Sequence, residues 1–381
     1  MGYKSVEILD VRSMSVTAAI GSAGVNNTFV IRGSQTQAYD GYEDGRFYSS
    51  DDLKRAVTAA LEATEKSASE HLKTVYVSVP GEFTKIINKR HMIGFTSPKR
   101  ISEGDIATLY RDGYGSIEEP EYENTHSSAL YFITSDSRKV SDPTGIVSST
   151  LQANICYILS ACYYCSLLRE ILTGYGFKAV CFVPASYAQG VYLLSEDRRN
   201  AGAVLLDVGM LSSTVSVVYG DGILREQTFW VGEGQIAAQL CEAFEIGYED
   251  ATALLRQANL FLDGSAEVRL NEETSFPSEA VNETIKYALD MLCEPLSQFL
   301  EGGPPFVDKR PILLTGEGIT GLRGASEHIS KRLSAEIETV APGLPYYNKP
   351  SMSSRISLLD YAAKERGKEG LFRRIKKAFG G

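Results

Sequence analysis

The chain has 381 residues, 43% hydrophobic and 23% charged, enough to bury large cores and to divide into two or more domains. Its net charge of −10 argues against general nucleic-acid affinity, so no nucleic-acid partner is expected. No run reaches the roughly 20 apolar residues a spanning helix needs, and the opening MGYKSVEILDV lacks the apolar core of a signal peptide.

Val6 to Asp10, a tight segment from Val11 to Ser15, then Val16 to Ile20 predict strand, turn and strand. Asp10 stands at the mouth of that turn, beside Ser13. Asp51 or Asp52 is placed to cap a helix through Leu53, Val57, Ala60, Leu61, Thr64 and Ala68. Thr74 to Pro80 then predicts a strand. Residues 84–160 read as a small inserted module. It has a strand from Ile86 to Phe95, a helix capped near Ser102, and strands from Ala129 to Thr134 and Ala153 to Leu159. The polar stretch from Gly113 to Ser128 predicts a loop. A helix from Cys162 to Leu172 and a strand from Ala179 to Val183 return to the first domain. Cys162 and Cys165 form a C-x-x-C, but no second pair or nearby His completes a zinc set. The six cysteines therefore read as core thiols in a reducing cytosol.

The stretch Ala203 to Tyr219, AVLLDVGMLSSTVSVVY, repeats the opening pattern about 200 residues on. An apolar run ends at Asp207-Val208-Gly209, and an alternating strand follows the turn. Ser212 and Ser213 flank it, and backbone N–H groups converging in such a turn can hold phosphate. A carboxylate there can position a metal-bound water, since hard cations take oxygen ligands. Two copies of the pattern predict two related domains facing each other across a cleft.

Ile223 to Val231 predicts a strand, and Gly232-Glu233-Gly234 opens a helix running to Phe244. A long helix from Val281 to Leu300 is expected to break near Pro295. A strand from Arg310 to Thr315 runs into Gly316-Glu317-Gly318, a turn that lets backbone approach a ligand closely. Ala341 to Ser354 predicts a loop and Ile356 to Ala363 a short helix.

From Lys364 to the end, seven Lys/Arg stand against two Asp/Glu, a balance of +5 that leaves −15 on the rest. At 100° per residue Leu371, Phe372, Ile375, Ala378 and Phe379 share one face, and Arg373, Arg374, Lys376 and Lys377 fill the other. That pattern fits a helix lying in an anionic membrane surface; the alternative is a terminal helix docked on its own domain. The basic stretch Lys364 to Lys368 predicts a hinge that lets the helix detach.

Together these pieces resemble the actin-like ATPase superfamily and, within it, the bacterial cell-division family FtsA. Asp10 to Val16 and Asp207 to Thr214 match the positions of the two phosphate hairpins, and Leu314 to Gly318 that of the adenosine-side loop. Leu72 to Gly81 resembles the family's strand before its inserted subdomain, called SHS2 or 1C, and Gly145 to Leu159 that insert's last strand. The resemblance implies an α/β fold of two duplicated actin-like (ribonuclease H-like) domains, with the SHS2/1C insert and a C-terminal amphipathic helix. Its implied parts are a first domain 1A (1–83 and 161–199, with a returning helix 354–366) and the insert (84–160). A second domain 2A (200–258 and 305–353), a reduced fourth subdomain 2B (259–304) and a membrane-targeting tail (367–381) complete it.

The resemblance places ATP and Mg2+ at Asp10, Ser13, Asp207, Gly209, Ser212, Ser213, Gly232, Gly234, Gly316 and Gly318, with Asp10 and Asp207 facing the metal. Several residues depart from the family pattern. Arg12 stands where a glycine is usual, Met210 and Leu211 replace two further glycines, and Thr214 holds the place of the second carboxylate. Thr252 and Leu255 occupy the adenine-side Glu and Lys positions, and Glu317 also replaces a glycine. These losses imply a degenerate site in which hydrolysis is absent or vestigial. The implied role is a peripheral adaptor on the cytoplasmic face of the membrane at the division site. It would self-associate and link an FtsZ-type filament to lipid. The rivals are an active actin-like ATPase regulating assembly and a PilM-like scaffold for a membrane protein's cytoplasmic tail.

Overall fold

The computed structural model describes residues 5–24, 29–262, 266–307 and 310–378, excluding the side chains of 23 and 368–378. Two compact units result. One comprises Met1–Ala201, Val218–Glu226 and Ser354–Gly381; the other comprises Gly202–Val217 and Gln227–Ser353.

In the first unit β1 (Val6–Val11), β2 (Ser15–Ala23) and β3 (Phe29–Ala38) form an antiparallel meander. A two-stranded ribbon follows, β4 (Tyr42–Glu43) with β5 (Arg46–Phe47), and then α1 (Ser50–Ala68). The cap of α1 is Ser49, not Asp51 or Asp52: its hydroxyl accepts the Asp52 N–H, while the Asp52 carboxylate accepts the Asp40 N–H. The cap lies two positions upstream of Asp51, and the Asp52 carboxylate has a partner outside the helix.

β6 (Thr74–Val79) runs parallel to β1. The inserted module is β7 (Thr84–Arg100), α2 (Glu103–Tyr114), β8 (Tyr122–Thr134), β9 (Lys139–Val140) and β10 (Val147–Ala161), in sheet order β7-β10-β8-β9. Ser102 caps α2 with a full capping box to Asp105. Most of the stretch expected to be loop between Gly113 and Ser128 is instead regular. Tyr122 to Ser128 pairs with β10, and that long-range ladder overrides the polar composition. Then come α3 (Cys162–Tyr175), β11 (Ala179–Pro184), α4 (Ala185–Leu193) and α5 (Glu196–Ala201). The first sheet reads β11-β6-β1-β2-β3, and its core packs Leu9, Val11, Val77, Leu53, Leu61, Tyr164 and Leu168.

The second unit repeats this plan. β12 (Ala203–Val208), β13 (Ser213–Tyr219) and β14 (Gly222–Phe229) form a meander whose far tip groups with the first unit. Helices α6 (Glu233–Phe244) and α7 (Tyr248–Gln257), the short pair β15 (Glu267–Arg269) and β16 (Ser275–Pro277), and α8 (Ser278–Glu301) follow. β17 (Ile312–Thr315), α9 (Ala325–Leu333) and β18 (Ile337–Thr339) complete it. The sheet order β14-β13-β12-β17-β18 has the same sequence of meander and parallel strands as the first. The 200-residue repeat is therefore a duplicated fold. Pro295 does not break α8: the buried row Leu289, Leu292, Cys293, Leu296 and Phe299 holds the helix through it.

The last element is α10 (Ser353–Ala378). It is longer than the expected Ile356 to Ala363 and continues through Lys364 to Lys368 without the expected hinge. Ile356, Leu358, Leu359 and Ala362 bury one face of it, and Arg366 donates from Nη1 to the Ser5 carbonyl. The backbone of Leu371, Phe372, Arg373, Arg374, Ile375, Lys376 and Lys377 belongs to this helix. Their side chains, and the whole of Phe379, lie outside the described residues. Among the described residues no helix is long and apolar enough to cross a membrane.

Candidate functional site

In the first unit the hairpin after β1 is closed by the Arg12 N–H donating to the Ser15 carbonyl at 2.8 Å. Tyr39 holds it from outside, its hydroxyl donating to the Arg12 carbonyl at 2.6 Å and its N–H to the Met14 carbonyl at 3.2 Å. Ser13 is buried in the turn. Asp10 is also buried, and its Oδ1 accepts the Ser354 hydroxyl at 2.6 Å from the first turn of α10.

The remaining sequence-predicted residues come together in the second unit. The Gly209 N–H donates to the Ser212 carbonyl at 2.9 Å, closing a tight turn around Met210 and Leu211. The Ser213 hydroxyl donates to the Val231 carbonyl at 2.5 Å. The backbone N–H groups at the start of α6 do not point free into a cavity. Glu233 donates to the Gly209 carbonyl at 3.0 Å and Gly234 to the Met210 carbonyl at 2.8 Å. On the third loop Gly318 donates to the Val208 carbonyl at 2.9 Å.

The three loops are thus bonded to one another, and that explains two of their glycines. A Cβ on Gly232 would lie 2.4 Å from the Met210 oxygen. One on Gly316, at φ +105, would lie 2.3 Å from the Val208 oxygen and 2.4 Å from Asp207 Oδ1. Asp207 itself is half-buried against this loop. Here glycine permits close packing of backbone on backbone.

A cavity of about 520 Å³ opens beside these loops, walled by Met210, Glu233, Leu255, Arg256, the loop from Glu317 to Leu322, and Lys349 to Ser351. Sequence reasoning passed over Arg256 and Lys349. Arg256 could have been found, because it follows Leu255 on a helix whose register places Leu255 inward. Thr252 turns away, its hydroxyl donating to the Tyr248 carbonyl at 2.9 Å. Burial raises the Glu233 carboxyl above its ordinary range; Arg256 opposes the shift and Glu317 adds to it.

The volume suits a nucleoside-sized group. The walls do not suit a magnesium-bound polyphosphate. The N–H groups of Gly209, Glu233, Gly234 and Gly318 are taken by carbonyls, and two carboxylates, Glu233 and Glu317, share the wall. Among the described residues no three His, Cys, Asp or Glu side chains are arranged to hold a metal ion, and the six cysteines are free thiols.

Two duplicated sheets of this order, each with a hairpin after its first strand, give the chain an actin-like fold. Solved structures agree in fold. The PilM–PilN type IV pilus biogenesis complex superposes with a TM-score of 0.64 at 13% identity, covering 96% of this chain and 99% of that one. The AMPPNP-bound MreB 5 of Spiroplasma citri gives 0.53 at 9% identity, over 99% of this chain and 100% of its own. In sequence the chain is similar to FtsA proteins. The cell-division protein FtsA of Streptococcus pneumoniae is 22% identical over 371 residues, 93% of this chain and 79% of that protein. FtsA of Bacillus subtilis is 20% identical over 364 residues, 90% and 82% respectively. No family model matches the chain.

Proposed function

We propose that this chain is a membrane adaptor of bacterial cell division, an FtsA-like protein that joins an FtsZ-type filament to the inner face of the membrane. The observation that carries the reading is the FtsA resemblance across 93% of the chain. The basic, amphipathic sequence from Leu371 to Phe379 supplies the lipid contact. Each large apolar side chain fully buried would gain about 1.5–3 kcal/mol, and each nearby Lys or Arg roughly 1 kcal/mol on an anionic leaflet. After the helix is ordered, a single tail binds reversibly. Self-association turns several weak tails into one strong attachment.

The adaptor works without an ATP cycle. What supports this is the set of backbone bonds from Glu233, Gly234 and Gly318 to the neighbouring loop, together with Ser354 on Asp10. Titration calorimetry with Mg-ATP is expected to show no micromolar binding; a clear micromolar isotherm would overturn this part. For the adaptor role, the full chain should sediment with phosphatidylglycerol vesicles cooperatively in protein concentration. Removal of residues 371–381 should abolish that, and unchanged sedimentation would refute it.

A second reading, a scaffold for a membrane protein's cytoplasmic tail, has its support in α10. The helix is packed on its own unit as far as Arg366. Hydrogen exchange separates the two: protection of residues 367–378 without lipid favours the scaffold.

A further inference from the structure

The C-x-x-C of the sequence falls on the start of α3, with Cys162 as its first residue and Cys165 three positions on. Residues three apart on a helix have Cα atoms roughly 5 Å apart, within the roughly 4.4–6.8 Å that disulfides span. A helical side chain leans back over the turn before it, which carries the Cys165 sulfur toward Cys162. The two thiols differ in access: Cys162 is half-buried and Cys165 fully buried. No other element of the chain holds two cysteines, and among the rest Cys156 and Cys293 are buried, which pushes their thiols up to about 12.

The turn that carries the pair is held from both sides. The Cys162 N–H donates to the Glu121 carbonyl at 2.8 Å. Tyr164, between the cysteines, is buried, donates its hydroxyl to the Ser78 carbonyl at 2.6 Å, and packs on Phe83 with ring centroids 4.6 Å apart. Glu123 of β8 stands beside the inner cysteine: burial raises the pKa of the Cys165 thiol, and the Glu123 carboxylate adds to the rise. Arg169, one turn further along α3, holds that carboxylate at 2.6 Å. An outer thiol open to solvent, an inner thiol shielded from it and a base beside the inner one are the parts a dithiol needs to close on itself.

We propose that Cys162 and Cys165 are a reversible dithiol–disulfide pair, oxidised by a low-molecular-weight disulfide such as glutathione disulfide. The Cys162 thiolate attacks one sulfur of glutathione disulfide. A mixed disulfide forms, and one glutathione leaves as the thiolate and takes up the proton that Cys162 lost. Cys165 then gives its proton to Glu123 and attacks the Cys162 sulfur. The Cys162–Cys165 bond forms, and the second glutathione leaves and takes that proton. Two protein thiols are oxidised and one glutathione disulfide is reduced to two thiols; excess glutathione reverses the sequence. The pair borders both crossings between the first sheet and the inserted module, since β10 ends at Ala161 and Tyr164 is bonded to Ser78 near the end of β6.

The test equilibrates the full chain in glutathione buffers of graded disulfide-to-thiol ratio, quenches in acid, alkylates in denaturant and maps the cysteines by mass spectrometry. The expected result is one transition in which residues 162 and 165 lose their label together while the other four cysteines keep theirs. Cys165→Ser should instead accumulate a glutathione adduct on Cys162, and Cys162→Ser should leave Cys165 labelled throughout. Glu123→Gln should reach the same endpoint as the wild type but close the mixed disulfide roughly 100-fold more slowly. A wild type in which both residues stay labelled even in glutathione disulfide alone would refute the pair, and so would a Cys165→Ser variant that gains no adduct on Cys162. Closure at an unchanged rate in Glu123→Gln would refute the part given to its carboxylate.

Discussion

Glu7 offers a test of the first unit's energetics. It lies on β1, fully buried, on the face toward α1 and α3, and neither carboxyl oxygen has a hydrogen-bond partner. Burial pushes its pKa from 4.5 up to about 8, and Glu65 and Glu70 add to this. Below pH 4.5 the group is protonated in both folded and unfolded chains, so it contributes no pH dependence. Between 4.5 and about 8 the unfolded chain has released the proton that the folded chain keeps. Stability therefore falls as pH rises, by about 1.36 kcal/mol per pH unit, and levels off above pH 8. Over the whole interval the loss is roughly 5 kcal/mol. Glu7→Gln removes it but leaves a buried amide in place of the acid. The variant should match the wild type near pH 5 and exceed it by about 2–5 kcal/mol at pH 8. Urea unfolding followed by circular dichroism at pH 5, 6.5 and 8 measures this. Parallel pH profiles for the two proteins would show that Glu7 ionises as readily in the fold as outside it.

Three other perturbations have definite outcomes. Ser354→Ala removes the donor to a buried carboxylate and should lower stability by about 1–3 kcal/mol, read as a fall in thermal midpoint. Gly316→Ala should destabilise by about 1–3 kcal/mol from its backbone conformation alone, and more from the contact with Val208. Gly321→Ala, where nothing lies within 4 Å, should leave the melt nearly unchanged and serves as the control. Arg256→Gln takes away the charge that opposes the upward shift at Glu233. Its carboxyl titration, followed by NMR, should move to higher pH, and an unmoved titration would show that the two do not interact.

Much of the fold is written locally. The two hairpins with Asp10 and Asp207 at their mouths, the capping box at Ser102, and the start of α6 after Gly232 depend on neighbours a few positions apart. Alternation and turn chemistry report such features directly. The repeat of the opening pattern foretold two like domains, and the matching sheet orders are that duplication.

Other features were settled by partners far away in the chain. Tyr122 to Ser128 is polar and became a strand because β10 supplies a ladder, and α8 crosses Pro295 because a buried row pins it. The candidate site follows the same division. Composition placed the glycines of the three loops, since only glycine tolerates that backbone proximity. Whether their N–H groups face a ligand or each other's carbonyls depended on how three segments, drawn from residues 207–213, 231–234 and 315–318, pack together. The hydroxyl on Asp10 comes from Ser354, 344 positions away. Periodicity has no access to such a pairing, because a single hydrogen bond between distant residues leaves no trace in the spacing of either segment.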